Sequence, residues 1–123
     1  MVFLGDRVTD ERGNFAVFEE LSSSPAALEA SKFCDMYGLL EGNDVQTADG
    51  VQAYCQAKLQ GVTTCIRVPR HRWPAEWHGL GYEDPVCPSV LALYGHPDSG
   101  GRWEAHCNDM VKTKGWTPYR RVW

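Results

Sequence analysis

Apolar positions between residues 26 and 40 recur at steps of four and three: Ala26, Ala30, Phe33, Tyr37 and Leu40. That spacing draws one face of an amphipathic helix and predicts a stripe packed on the core. Ser24 can serve as its N-cap, and Pro25 suits the first helical position, where its missing N–H costs nothing. Gly38 can close its C-terminus. A second helix is predicted from about Ser99, with Trp103, Cys107 and Met110 on one face and Val111 beside them. Lys112 and Lys114 complement its C-terminal dipole, and Gly115 can end it.

Between these helices the period changes. Val45, Thr47, Asp49 and Val51 alternate along an extended chain. The β-branched run VTTCIRVP, 62 to 69, predicts a strand stopped by Pro69. VCPSVLALYG, 86 to 95, predicts a strand interrupted by Pro88, hence an edge or a late start. The stretch RHRWPAEWHGLGYEDP between them predicts a loop with one helical turn after Pro74. At the N-terminus, MVFLGD is a short apolar strand. Gly13-Asn14 suits a hairpin turn, and FAVFEEL can pair back as a strand, although it also contains helix formers. WTPYRRVW ends the chain as an extended segment. The expected class is α+β: short antiparallel strands with two main helices on one face.

The 123 residues, 43% of them apolar, amount to one ordinary domain. No apolar run is long enough to span a bilayer, and the first residues lack the basic and apolar regions of a secretory signal. The expectation is an intracellular, non-membrane protein in the cytoplasm or nucleus. The five cysteines show no C-x-x-C pair and are expected as free thiols. Charge is uneven. Residues 1 to 60 carry four basic residues against ten acidic, and residues 61 to 123 carry eight against six, within a net charge of −4. A broad basic face is therefore absent, and only RVPRHR, 67 to 72, and the pair Arg120 and Arg121 concentrate positive charge.

Two stretches carry the chemistry. DGVQAYCQAKL, 49 to 59, resembles the first polymerase motif of copia-type retrotransposon reverse transcriptases, DVKTAFLNGxL: Asp49, Ala53 and Leu59 are identical, and Tyr54 stands at the aromatic position. LYGHPDSGGRW, 93 to 103, resembles the same family's LYGLKQSPRAW through Leu93, Tyr94, Gly95, Ser99 and Trp103. VTTCIRVPRHRWP, 62 to 74, is similar to the strand-plus-proline segment between the two motifs. The N-terminal stretch looks like the finger segment before the first helix. A rival register on Asp44, through DVQTA, puts Asp49 at the aromatic position and loses the downstream leucine, so the register on Asp49 explains more of the chain.

The resemblance implies a partial fingers-palm fold over residues 1–123, truncated at both ends, within a retrotransposon polyprotein. It implies RNA-directed DNA polymerisation, with an RNA or DNA template-primer and a deoxynucleoside triphosphate as partners and Mg2+ as cofactor. Nucleotidyl transfer is an in-line displacement clamped by two divalent ions, which take hard carboxylate oxygens. By resemblance Asp49 is the catalytic metal ligand. Gly50 leaves backbone room for the triphosphate. Tyr54 packs under the incoming sugar, a role compatible with being a core aromatic. Asp98 and Arg102 face the nucleotide, although Asp98 replaces the family's glutamine and can equally cap the helix behind it. Arg67, Arg70, Arg72 and Trp73 can form a single-strand platform, or a solvated loop with its tryptophans pinned to the core.

The family's second metal centre, a Tyr-x-Asp-Asp hairpin, has no counterpart in this sequence, so the chain alone is expected to be inactive. Two other readings stay open. One is a non-catalytic remnant that keeps only palm-like packing. The other is a metal-binding module built from Cys55, Cys65, His71, His78, Cys87, His96, His106 and Cys107, whose spacings lack the short pairs of structural zinc sites.

Overall fold

A computed structural model describes residues 5–18 and 26–118. The expected MVFLGD strand falls mostly outside these residues, as do Ser24, Pro25, Arg120, Arg121 and the end of the C-terminal tail. Within them lie two helices, α1 (Leu28–Gly38) and α2 (Ser99–Thr113), and two strands, β1 (Cys65–Arg67) and β2 (Val86–Pro88). Short 3-10 turns cover Gly5–Arg7, Ala53–Gln56, Arg70–Arg72 and Ala75–Gly79. This is a small α+β arrangement.

The strands pair antiparallel with Cys65 opposite Pro88, Ile66 opposite Cys87 and Arg67 opposite Val86. Pro88 lies at the end of the ladder, where its missing N–H breaks least. The pairing resumes upstream: Lys58 bridges Leu91, Leu59 N–H donates to the Val90 carbonyl, and Ala92 N–H donates to the Ala57 carbonyl. Residues 57–67 and 86–92 thus form one interrupted ribbon that leads directly into α2. The buried positions gather where ribbon and helix meet: Ala57, Ala92, Thr64, His96 and Ser99.

The predicted second helix begins at Ser99 as expected and ends on a Schellman closure. Gly115, at φ +86°, donates to the Lys112 carbonyl, and Trp116 donates to that of Val111. The N-terminal hairpin also forms. Thr9 bridges Phe15, and Asp10 Oδ1 accepts from the N–H groups of Arg12 and Asn14 at 2.9 and 2.8 Å. Those bonds, the Asn14 N–H foremost, hold the Asp10 carboxyl below its ordinary range. The loop after β1 contains two 3-10 turns where one helical turn was expected.

Two expectations are corrected. The apolar stripe of α1 is not core: no residue of α1 is buried, and Leu40 beyond it is 56% exposed, because no other element among the described residues packs on that face. Gly38 is not a left-handed cap. It is the last helical residue, and a Cβ there would strike the Val45 side chain, so close approach of the following chain requires glycine. Residues 43 to 50, expected only as extended chain, pair with no strand among the described residues.

Candidate functional site

The backbone turns sharply after Asp49. Gln52 takes a left-handed conformation, φ +52°, and leads into the 3-10 turn Ala53–Gln56, with Cys55 N–H on the Gln52 carbonyl at 2.9 Å. The Gln56 amide closes the bend by donating to the Val51 carbonyl at 2.7 Å. This bend lays the 3-10 turn against α2. Tyr54 meets Tyr94 with ring centroids 4.7 Å apart and planes tilted by 38°. Gly50 lies under the Trp103 indole, so close that a Cβ would stand 2.9 Å from Cζ2. Asp49 itself is exposed. The two stretches that carry the family resemblance are therefore in contact, through Tyr54 with Tyr94 and Gly50 with Trp103.

The second stretch is braced from within. Gly95, at φ +94°, permits the turn that joins the His96 N–H to the Leu93 carbonyl at 3.1 Å. Ser99, fully buried, donates its hydroxyl to the Leu93 carbonyl at 2.7 Å and accepts the Leu93 N–H at 3.0 Å. His96 is 6% exposed. Its Nδ1 accepts the Asp98 backbone N–H at 3.1 Å, which leaves the ring proton on Nε2, 3.1 Å from Thr64 Oγ1. The Phe18 ring meets this imidazole edge-on at 5.1 Å. Burial lowers the His96 pKa, and the Asp98 carboxylate opposes that shift without reversing it.

Asp98 occupies the N-cap position of α2, but its backbone is helical (φ −81°, ψ −7°) and its side chain caps nothing. This corrects the expectation of a capping role: a side chain on helical backbone points away from the free N–H groups it would have to reach. Its Oδ1 is buried without a hydrogen-bond partner among the described residues. Arg102 turns its guanidinium to Gln60, with Nη2 3.2 Å from the backbone carbonyl and Nη1 3.4 Å from Oε1.

In the basic loop, Arg67 is paired with Asp84 at 3.0 Å, an exposed bridge. Trp73 Nε1 donates to the Val68 carbonyl at 2.7 Å. Its ring stands among Trp77, His78 and the Arg70 guanidinium, at 6.3, 5.7 and 5.7 Å. Tyr82 extends the cluster through Trp77. Trp73 is thus half-buried within the loop's own aromatic cluster, while Arg70 and Arg72 are exposed.

Among the described residues no three His, Cys, Asp or Glu side chains group as metal ligands. Asp49 by itself does not fit a two-ion centre, and no catalytic step through magnesium follows from these residues. The proposed cysteine–histidine module likewise gathers no ligand set among them. No helix among the described residues is long and apolar enough to cross a membrane. Comparison with family models, with curated proteins and with solved structures finds no match to this chain.

The bracing by Thr64 and Ser99 was not anticipated. Thr64 and His96 are 32 positions apart, and no local pattern links them. Ser99 is visible in the sequence as a motif match and His96 as a candidate ligand, whereas Thr64 carries no local signal.

Proposed function

We propose that this chain is a fingers-palm portion of a copia-type RNA-directed DNA polymerase from a retrotransposon polyprotein. One observation supports this reading above the motif letters: the two resembling stretches, remote in sequence, meet through the Tyr54–Tyr94 ring pair, with Gly50 under Trp103. In this reading Gly50 and Tyr54 form the nucleotide side, flanked by Asp98 and Arg102, and Asp49 contributes one metal-binding carboxylate. Arg67, Arg70, Arg72 and Trp73 contact the template-primer. Photo-crosslinking with a base-modified deoxynucleoside triphosphate and Mg2+ tests it. Labelled peptides are expected within 49–59 and 93–103, and labelling that ignores both stretches defeats the reading.

A second reading is favoured by the exposed, solitary Asp49: a remnant that keeps palm-like packing without catalysis. The two differ in nucleotide binding. A remnant shows no saturable crosslinking of the triphosphate, and no loss of labelling on Asp49→Ala.

A further inference from the structure

A groove of about 290 Å³ runs between the chain after the 3-10 turn and one face of α2. Gln56, the last residue of the 3-10 turn, lines one side together with Lys58 and Gln60, same-side residues of the extended segment after it whose alternate residues, Ala57 and Leu59, turn inward. Arg102, His106 and Asp109 line the other, at the spacing of a single helix face. None of Asp49, Gly50 or Tyr54 borders it.

The charge in this groove is positive. Lys58 and Arg102 supply basic side chains, the imidazole of His106 adds a ring nitrogen, the Gln60 amide adds N–H donors, and the Gln56 amide keeps one N–H beyond the one it gives the Val51 carbonyl. The only carboxylate lining it, Asp109, lies 4.0 Å from Lys112 on the next helical turn, which offsets its charge. Asp98, one turn before Arg102, is not part of the lining. Arg102 spends two of its donors on Gln60, which fixes the guanidinium in place, while its Nε–H is buried without a partner among the described residues. A guanidinium held by neighbours loses less freedom on binding an oxyanion than a free one does. Lys58 is anchored through its backbone bridge to Leu91, and its side chain makes no ion pair among the described residues. The volume of about 290 Å³ falls just short of the usual range of small-molecule clefts, about 300–1,000 Å³, and suits a small phosphorylated ligand.

We infer that this groove binds a phosphate group carried on a small molecule, with Lys58, Arg102 and His106 around the phosphate and the glutamine amides beside it. The inference shares Arg102 with the polymerase reading and otherwise rests on Lys58, His106 and a lining that excludes Asp49, Gly50 and Tyr54.

The test is a ¹H–¹⁵N titration of the whole chain with adenosine monophosphate and, in parallel, inorganic phosphate, each against sodium chloride of equal ionic strength. Saturable shifts at Lys58, Arg102 and His106 are expected, with the monophosphate binding several-fold more tightly than phosphate. Lys58→Gln should weaken binding at least threefold while leaving the rest of the spectrum in place. Arg102→Lys should weaken it further, because lysine lacks the guanidinium fork. Unchanged affinity in Lys58→Gln, shifts matched by chloride alone, or shifts confined to residues 67 to 72 would each overturn the assignment. Lys58→Gln is expected to leave triphosphate crosslinking at Gly50 and Tyr54 intact while removing any at groove residues Gln56 and Gln60, so failure of one proposal is distinguishable from failure of the other.

Discussion

His96 Nε2 stands 3.1 Å from Thr64 Oγ1, with the imidazole held neutral by an Asp98 N–H on its other nitrogen. Adding a proton to Nδ1 would set it against that N–H, and burial already disfavours the charged ring. The folded-state pKa therefore lies below the ordinary 6.5, so the unfolded chain takes up the proton first as pH falls. Stability is fully present above pH 6.5 and is lost as pH drops from there through the folded pKa. Thermal melting followed between pH 8 and pH 5 should show this decline, and His96→Gln should flatten that part of the profile. An unchanged slope in the variant would assign the decline to other groups.

Ser99 spends its hydroxyl on both backbone groups of Leu93. Ser99→Ala improves intrinsic helix propensity but strands the half-buried N–H and carbonyl of Leu93. A net loss of about 1–3 kcal/mol is expected, read as a lower urea midpoint with unchanged slope. Ser89→Ala, at an exposed bond to the Leu91 carbonyl, should cost far less.

Gly50 is needed for space and not for backbone freedom, because Trp103 occupies the position of its missing side chain. Gly50→Ala should destabilise by about 1–3 kcal/mol through overpacking and alter the fluorescence of Trp103. Trp103→Phe in the same chain should recover part of the loss. No recovery would mean that the alanine acts elsewhere.

The arginines of the basic loop are not equivalent. Arg67 is engaged by Asp84, while Arg70 and Arg72 are exposed. In single-stranded RNA titrations at several salt concentrations, Arg70→Ala and Arg72→Ala should each reduce the salt slope by about one unit. Arg67→Ala should change it least. Equal slopes in all variants would exclude phosphate contacts from this loop.

Primer extension on an RNA template with Mg2+ should yield nothing from this chain, since one exposed carboxylate cannot position two ions. Template-dependent incorporation abolished by Asp49→Ala would refute that expectation.

Features set by short-range rules are legible along the chain. The start of α2 at Ser99, its closure at Gly115, the hairpin around Gly13 and a strand ending before Pro69 follow from side chains acting on backbone within a few residues. The motif residues were legible too, as letters in order. The tertiary structure alone decided which of them meet. It joined Tyr54 to Tyr94 and Thr64 to His96, turned Arg102 to Gln60, and left Asp98 without a capping bond. It also left every residue of α1 short of burial, although the helical period of the stripe is plain in the sequence. The reason is physical. Periodicity states which face of an element is apolar, whereas burial and pairing depend on whether a distant part of the chain arrives to cover it, and that path is set by the sum of all contacts.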